Sequence, residues 1–323
     1  MRAPFLAVLL LAAPAAAAAS EAIELRARPL WLNPEDRSQD TVGRLRWRGG
    51  VELTSGAAGF GGLSDLELEP GGADLLAVTD EGRWLSGRLH YDESGDLAGV
   101  TDARLGWLHD PAGRSLAQAA KRRQDAEALT RLPDGSLLVA FERDHRIERF
   151  AGGLDATPET FPAPPGLAAA PANAGLEALV TLPDGRLLAF TEGQRQGDGL
   201  VAYLRDSSGD WQTLLLEATG LFRPTGAALL PDGDVLLLER RYTILGGPGA
   251  RLSRIALDTI RPGARLRGEE IAEIRPPLTV DNFEGVAVHR AGDGNLRITL
   301  LSDDNFSPLQ RTLVVQFELL DGD

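Results

Sequence analysis

Cysteine is absent from the 323-residue sequence. Its absence excludes thiol catalysis, disulfide bonds, and zinc or iron-sulfur sites held by cysteine. Lysine is nearly absent too, because Lys121 is the only one and almost all positive charge is carried by arginine. Arginine suits the oxygens of carboxylates and phosphates, although a GC-rich genome would produce the same bias. Both explanations of the arginine excess stay open at this point.

An excess of basic residues is also missing. The chain has 33 Lys plus Arg against 47 Asp plus Glu, a formal net charge of −14. This balance argues against a nucleic-acid partner, which requires a basic surface, and against an anionic membrane surface. With 43% hydrophobic and 25% charged residues, the composition is that of a globular protein large enough to bury a full core.

Several catalytic motifs are lacking. The segment Gly62 to Leu66 reads Gly-Leu-Ser-Asp-Leu and lacks the second glycine of the Gly-x-Ser-x-Gly nucleophile elbow. The four histidines show no His-x-x-x-His spacing, and no phosphate-binding loop or dinucleotide-binding glycine pattern occurs. The usual serine hydrolase fold, a paired-histidine zinc site and a nucleotide-binding fold are therefore not indicated.

The N-terminus resembles an export signal. An apolar run from Ala3 to Ala13 follows Met1 and Arg2, and alanines then supply an Ala-x-Ala cleavage site before Ser20. The run is too short to span a bilayer, and neither a lipid-anchoring cysteine nor a twin arginine accompanies it. We therefore expect residues 1–20 to be a cleaved signal peptide. Residues 21–323 are then expected to form one periplasmic or secreted domain without a membrane anchor.

Five internal repeats determine the predicted architecture. Three copies contain Leu-Pro-Asp-Gly, at 132–135, 182–185 and 230–233, and two looser copies turn at 70–72 and 292–294. Each turn lies between two short apolar runs, which is the pattern of a β-hairpin. The second run is apolar on consecutive residues, as from Leu137 to Phe141, so its strand should be buried between neighbouring sheets.

Further strand-like segments follow several hairpins, and four strands per repeat predict an all-β protein, a β-propeller of four-stranded blades. The repeat count favours five blades, with six as the alternative if residues 21–60 hide a degenerate blade. Only one strand, Thr312 to Leu319, follows the fifth hairpin, so an N-terminal strand should close the ring. Candidates are Ile23 to Leu30 and Leu45 to Leu53, and the only helix predicted is Ala112 to Gln124.

The symmetry of the hairpins places acidic residues at one end of the ring. Glu127 and Glu142 flank the second turn at equal distances and should face each other at the open end of the hairpin, as should Glu177 and Glu192 around the third. The corresponding residues of the other repeats are Ser64 with Asp80, Glu239, and Glu284 with Asp303. If the first strand of each hairpin is innermost, these side chains surround the mouth of the central channel.

Carboxylates so close together require positive charge. Arginines in the same register could supply it, or each carboxylate could cap backbone N–H groups or pair with an arginine of the next blade. A divalent cation could also supply it, and oxygen-only ligands favour calcium. We predict a ligand or metal site at this face.

The chain is similar to the phytase-like family, described by esterase-like activity of phytase. The resemblance covers about residues 43–319 and rests on Phe60 to Ser64, Val78 to Leu85, Asp125 to Leu129, Ala140 to Ile147, Asn173 to Leu179, Leu238 to Arg241, Asp281 to Gly285 and Leu301 to Asn305. It implies a secreted bacterial β-propeller that hydrolyses ester or phosphate-ester bonds. The family often has Gly-Leu-Ser-Gly in its first hairpin, whereas this chain has Asp65 there, another acid expected near the mouth. Calcium-dependent propeller phytases surround phosphates with lysines as well as acids, so arginines alone argue against phytate.

These observations assign candidate roles around a small anionic or ester substrate and a calcium ion, in a protein expected to be a monomer. The expected calcium ligands are Asp80, Glu127, Glu177, Glu239, Glu284 and Asp303. The catalytic candidates are Glu142, Glu192 and His145. The candidates for substrate binding are Arg143, Arg240, Arg311, Ser64 and Asn305. Two alternatives remain, a non-catalytic propeller that binds a ligand or protein at this face, and a calcium-dependent lactonase.

Overall fold

The computed structural model of the chain describes residues 20–320. The predicted signal peptide therefore lies outside the described residues, apart from Ser20. Four strands precede the first repeated hairpin: β1 (Glu21–Ala22), β2 (Arg26–Pro29), β3 (Thr41–Val42) and β4 (Leu45–Thr54). Of these, β1 pairs with a later strand, and β2 and β3 both pair with the long strand β4.

Each repeated hairpin belongs to a sheet of four antiparallel strands, numbered here as blades one to five. Blade one contains β5 (Leu63–Leu68), β6 (Asp74–Thr79), β7 (Arg83–Tyr91) and β8 (Leu97–Trp107). Blade two contains β9 (Ala126–Arg131), β10 (Leu137–Phe141), β11 (Arg146–Phe150) and β12 (Glu159–Phe161). Blade three contains β13 (Leu176–Thr181), β14 (Leu187–Gln196), β15 (Gly199–Arg205) and β16 (Trp211–Glu217).

The last two blades interrupt the simple order of the chain. Blade four begins with β17 (Arg223–Leu229), β18 (Val235–Thr243) and β19 (Gly247–Ile255). The chain then adds the short strand β20 (Arg265–Leu266) to β16 of blade three before β21 (Glu269–Ile274) completes blade four. Blade five contains β22 (Phe283–Arg290), β23 (Leu296–Ser302) and β24 (Thr312–Leu319). Its outermost strand is β4, which pairs antiparallel with β24.

The five first strands, β5, β9, β13, β17 and β22, pack side by side in a closed cycle around a central channel. Blade five meets blade one both at these inner strands and where β4 pairs in parallel with β8 at Gly49 and Leu97. The predicted β-propeller is therefore the fold of the described residues. Of the two N-terminal segments predicted to close the ring, Leu45 to Leu53 does so as β4.

The turn chemistry explains why the hairpins form where they do. At the second turn, Asp134 Oδ1 accepts a hydrogen bond of 3.0 Å from the backbone N–H of Ser136. Gly135 has a φ of 86°, a left-handed conformation that glycine adopts without strain. The third and fourth turns repeat this bond: Asp184 Oδ1 accepts from the backbone N–H of Arg186, and Asp232 Oδ1 accepts from that of Asp234.

Between the blades lies the hydrophobic core. Every residue of β10 is buried, as its consecutive apolar residues predict for a strand covered on both faces. The predicted helix from 112 to 124 is shorter than expected, being a 3₁₀ turn, Leu116–Gln118, and a single α-helical turn, α1 (Lys121–Gln124). Two further 3₁₀ turns are Pro165–Ala169 and Leu257–Thr259. None of the helices in the described part of the chain is long and apolar enough to cross a membrane.

Candidate functional site

A β-bulge occurs at the same place in every inner strand. In each blade the pairing with the second strand shifts by one residue, which leaves one residue of the inner strand unpaired. The five unpaired residues are Ser64, Glu127, Glu177, Thr225 and Glu284. A bulge bends the strand and re-aims a side chain, and here it turns three glutamates toward the mouth of the channel.

A second set of equivalent positions lies on the second strands. Each position follows the residue that pairs with the inner-strand residue just before the bulge. In blades one, two, three and five this position holds Asp80, Glu142, Glu192 and Asp303. In blade four it holds Arg240, because Glu239 is the residue that pairs with Pro224, just before the bulge at Thr225. The prediction that Glu239 belongs to the acidic ring is therefore wrong. Glu239 is instead buried in a salt bridge with Arg251 at 2.7 Å and also accepts from Ser253 Oγ at 3.2 Å.

The two sets of positions enclose a cavity of about 200 Å³ at one end of the channel, which we call the acidic cavity. Twelve residues line it: Asp80, Asp125, Glu127, Glu142, Arg143, Asn173, Glu177, Glu192, Arg240, Glu284, Asp303 and Asn305. Eight of the twelve are carboxylic acids, and only two are arginines. The acids predicted at the mouth thus line this cavity, except Glu239 and Asp65, and Asp125 and Asn173 are members that sequence reasoning missed.

Arg240 contacts carboxylates of two neighbouring blades. Its Nη2 lies 3.2 Å from Glu192 Oε1 and 3.4 Å from Glu284 Oε1, while its Nη1 donates to Asn282 Oδ1 at 2.7 Å. Asn282 in turn donates from Nδ2 to Glu284 Oε1 at 2.8 Å. Arg240 therefore joins blades three, four and five at the cavity wall, as a substrate-binding or charge-balancing group should.

The only lysine of the chain also lies at this mouth. Lys121, in α1, donates from Nζ to Asp80 Oδ2 at 2.7 Å and lies 3.4 Å from Asp125 Oδ1. Asp125 also accepts from Arg143 Nε. The argument that arginines alone accompany the acids is therefore wrong. Lys121 adds a third cation beside the acidic cavity, in a segment whose sequence gave no sign of this contact.

Burial and crowding shift the acids toward their protonated forms. Burial raises the pKa of Glu284 to about 7, and burial together with the neighbouring Glu284 raises that of Asp303 to about 8. The pKa values of Glu127 and Glu177 lie well above the usual range, because of burial first and nearby carboxylates second. Burial also raises the pKa of Glu142. Without added positive charge, the acidic cavity resists full ionisation.

The donor set fits a hard divalent cation. Asp125, Glu127 and Glu142 offer carboxylate oxygens within 4.8 Å of one another. Asp80 Oδ1 is buried and accepts no hydrogen bond within residues 20–320. Only oxygen ligands are available, which suits calcium rather than a softer transition metal. A cation held by the three converging carboxylates would favour the ionised forms of Glu127 and Glu142, whose pKa values burial raises.

Three of the four described non-glycine residues with positive φ lie at or beside this mouth. They are Arg143 at 59°, Asn305 at 46° and Phe306 at 49°. Left-handed backbone is costly for residues with a side chain and tends to occur at functional sites. Arg143 and Asn305, both predicted to bind substrate, line the acidic cavity.

Other predicted site residues lie outside the acidic cavity. Ser64 occupies a bulge, but it is buried and its Oγ has no hydrogen-bond partner among the described residues. His145 lies behind Glu142, where its Nε2 is 3.1 Å from the carbonyl oxygen of Pro171. A Cβ on Gly175 would be 2.9 Å from both the His145 Nδ1 and the Glu142 Cγ, so the glycine permits this close packing.

Asp65 is likewise not at the mouth. It follows the bulge of β5, is buried, and accepts backbone N–H hydrogen bonds of 2.8 Å from Leu66 and from Leu129 of the next blade. Burial raises its pKa well above the usual range. Asp65 thus connects two inner strands and is a structural residue in this geometry.

A larger groove adjoins the acidic cavity. It has a volume of about 760 Å³, and Glu192, Arg240 and Asn305 line both spaces. Arg311, predicted to bind substrate, lies in this groove and donates from Nε to Asp281 Oδ2 at 3.0 Å. We call it the arginine groove, because Arg223 and Arg241 also line it.

The fold and the site together define a β-propeller with an acidic cavity and an adjoining cationic groove at one face. The profile of the phytase-like family, described as esterase-like activity of phytase, matches residues 58–306, and the chain belongs to this family. The resemblance read from the sequence is thereby confirmed. A comparison with curated proteins found no match.

Among solved structures, several proteins share a distant similarity. A protein proposed as a gluconolactonase is 12% identical with a TM-score of 0.43, covering 91% of this chain and 100% of that one. An inactive variant of virginiamycin B lyase from Staphylococcus aureus, with quinupristin, is 13% identical with a TM-score of 0.44, covering 92% and 100%. A streptogramin B lyase is 11% identical with a TM-score of 0.43, covering 92% and 98%.

Proposed function

We propose that this protein is an exported hydrolase that cleaves phosphate esters or other esters, with a calcium ion bound in the acidic cavity. The observation that carries the proposal is the junction of two unlike spaces, one lined by eight carboxylic acids and the other by four arginines, with Arg240 in both. Membership of the phytase-like family supports ester hydrolysis. Export rests on the sequence of residues 1–20 alone.

Asp125, Glu127 and Glu142 are the residues proposed to hold the ion, since their oxygens already converge. When bound, calcium would polarise the ester oxygen and neutralise negative charge that develops in the reaction. Glu177, Glu284 and Asp303 lie in the same cavity and complete its negative surface. In this assignment Glu142, a catalytic candidate from the sequence, is a ligand.

Glu192 is the proposed general base. It lines both the acidic cavity and the arginine groove, so its carboxylate can take a proton from a water that attacks a substrate held between them. The hydrogen bond from Arg240 Nη2 orients the carboxylate. Arg143, Arg240 and Arg311 are proposed to hold the anionic group of the substrate, and His145 is left as a packing neighbour of Glu142.

The test combines metal content with turnover. We expect the purified chain from residue 21 to contain calcium and to lose thermal stability in EDTA, because a ligand that binds only the folded state stabilises it by mass action. Calcium should be required for hydrolysis of 4-nitrophenyl phosphate or 4-nitrophenyl acetate. Removal of one ligand, by Glu127→Gln, should lower the rate by about 100-fold at limiting calcium, whereas the exposed-residue control Glu35→Gln should not.

Three outcomes would each contradict a different part of this proposal. A metal-free protein with the same melting curve in EDTA would refute the calcium site. Calcium binding without turnover of phosphates, esters or lactones would refute the hydrolase and leave a ligand-binding propeller. Hydrolysis of lactones alone would identify a lactonase and refute phosphate esters as substrates.

A further inference from the structure

Exposed apolar side chains are concentrated beside the arginine groove. Of the described residues, the large hydrophobic ones that are exposed are Trp31, Leu221, Tyr242, Ile244, Leu245, Phe306 and Leu309. All except Trp31 belong to the three segments that border this groove, and Leu221, Tyr242 and Leu309 line it. Single exposed leucines are ordinary, but a group of them around a concave surface indicates a binding site.

The lining side chains are open to solvent rather than packed on the core. Leu221 is 59% exposed, Tyr242 is 72% exposed and Leu309 is 91% exposed. They come from the loop before β17, the end of β18 and the loop before β24, so blades four and five contribute them together. No hydrophobic partner within residues 20–320 covers these side chains.

Deeper in the groove the lining side chains are charged rather than apolar. Arg223, Arg240, Arg241 and Arg311 line it, against the two carboxylates of Glu192 and Asp281. Arg311 and Arg241 are engaged, with Asp281 and with Glu273 at 3.0 Å each. Arg223 donates from Nη1 to the carbonyl of Phe222 at 2.7 Å and forms no salt bridge within the described residues. The groove thus has spare positive charge next to the acidic cavity and an apolar rim farther out.

We propose that the arginine groove binds an amphiphilic anion, namely an ester whose phosphate or carboxylate head lies against Arg223 and Arg240 and whose alkyl chain lies over Leu221, Tyr242 and Leu309. This proposal rests on the proposed function, since the scissile bond would lie where Glu192 and Arg240 border the acidic cavity. It specifies the substrate class as apolar-chain esters, in contrast to a fully polar polyphosphate. A volume of about 760 Å³ is in the range of pockets that enclose small organic ligands.

Binding of short-chain and long-chain phosphates tests the subsite without any turnover. We expect octyl phosphate, measured by calorimetry below its micellar concentration, to bind at least about tenfold more tightly than ethyl phosphate. Tenfold requires burial of fewer than two of its six additional methylene groups. Octyl glucoside, with the same chain and no charge, should also bind at least about tenfold more weakly than octyl phosphate.

Two sets of variants separate the chain from the head. The double variant Leu221→Ser, Leu309→Ser should reduce the chain-length effect to less than about threefold and leave the affinity for ethyl phosphate unchanged. Arg223→Gln should weaken octyl and ethyl phosphate by the same factor. Ile244→Ser is the matched control, because Ile244 is 93% exposed but does not line the groove. All four positions are exposed or partly exposed, and the far-ultraviolet circular dichroism and melting curve of each variant verify folding.

Equal affinity for octyl and ethyl phosphate would overturn the proposal. So would an Ile244→Ser effect as large as that of the double variant, since the hairpin tip would then be the apolar contact, as in insertion into a lipid surface. Chain-dependent binding without turnover of any ester supports the subsite while refuting the hydrolase. Turnover of 4-nitrophenyl phosphate without a chain-length effect on binding refutes the subsite alone.

Discussion

Replacement of Glu284 by glutamine should stabilise the calcium-free protein, although it removes a residue of the site. Burial raises the pKa of Glu284 from the ordinary 4.5 to about 7. Between pH 4.5 and 7 the folded chain retains a proton that the unfolded chain has lost, so the free energy of unfolding falls as the pH rises through this window. At pH 8 the full penalty applies, about 3 kcal/mol at 1.36 kcal/mol per pH unit.

Glutamine can still accept the hydrogen bond from Asn282 Nδ2, and Arg240 still contacts Glu192 and Asn282. We therefore expect Glu284→Gln to gain about 2–3 kcal/mol at pH 8 in EDTA, a rise in melting temperature of roughly 3–5 °C for a chain of this size. The gain should shrink as the pH falls through this window and vanish below pH 4.5, where both states are protonated.

The assay is thermal unfolding in EDTA at pH 5 and pH 8, followed by the same measurement with saturating calcium. Glu35→Gln, at an exposed position, controls for the removal of one negative charge anywhere on the chain. With calcium the variant should lose its advantage, because the ion stabilises the ionised form of the wild-type cavity. A variant less stable than the wild type at pH 8 in EDTA, or equally stabilised at both pH values, would refute this account of the acidic cavity.

Three further expectations follow from the same geometry. Arg251→Leu should leave Glu239 buried without its partner and lower the free energy of unfolding by about 3–5 kcal/mol, measured with urea. That loss should be equal with and without calcium, and dependence on calcium would count against a structural role. Lys121→Met should release carboxylate oxygens and tighten calcium binding by calorimetry; weaker binding would contradict the idea that lysine and ion compete. Glu67, at the other end of the channel, has its pKa raised to about 7 by burial, so Glu67→Gln should gain roughly 1–3 kcal/mol at pH 8 but little at pH 4.5. An equal gain at both pH values would show that charge is not the cause.

The propeller could be predicted from the sequence because its causes are local. Each turn from Pro to Gly fixes a hairpin through the conformations of two or three residues, and consecutive apolar residues mark strands covered on both faces. The position of Glu127, Glu142, Glu177 and Glu192 followed from symmetry about those turns. Counting strands also predicted that an N-terminal strand must complete the last blade.

The site was harder to predict where its members depend on backbone register. The bulge of each inner strand is invisible in residue types, and it decides which side chain enters the cavity. In blade four the error was one residue, and counting would have found it, since Arg240 lies seven residues after Gly233, as Glu142 lies after Gly135. Lys121 reaches the mouth only through the packing of a segment between blades, for which the sequence offers no periodic signal.

The closure of the ring by β4 has a consequence for the order of folding. Blade five combines a strand from near the start of the described chain with three from its end, so Thr312 meets Leu53 across almost the whole sequence. Such distant pairings form slowly, because the entropy of closing a long loop is lost before any stabilising contact forms. The acidic cavity draws residues from all five blades, so carboxylates of different blades remain apart and hydrated while single hairpins form. The repulsion between carboxylates of different blades therefore arises only when the ring closes, whereas the three proposed ion ligands of blade two converge as soon as their own hairpin forms.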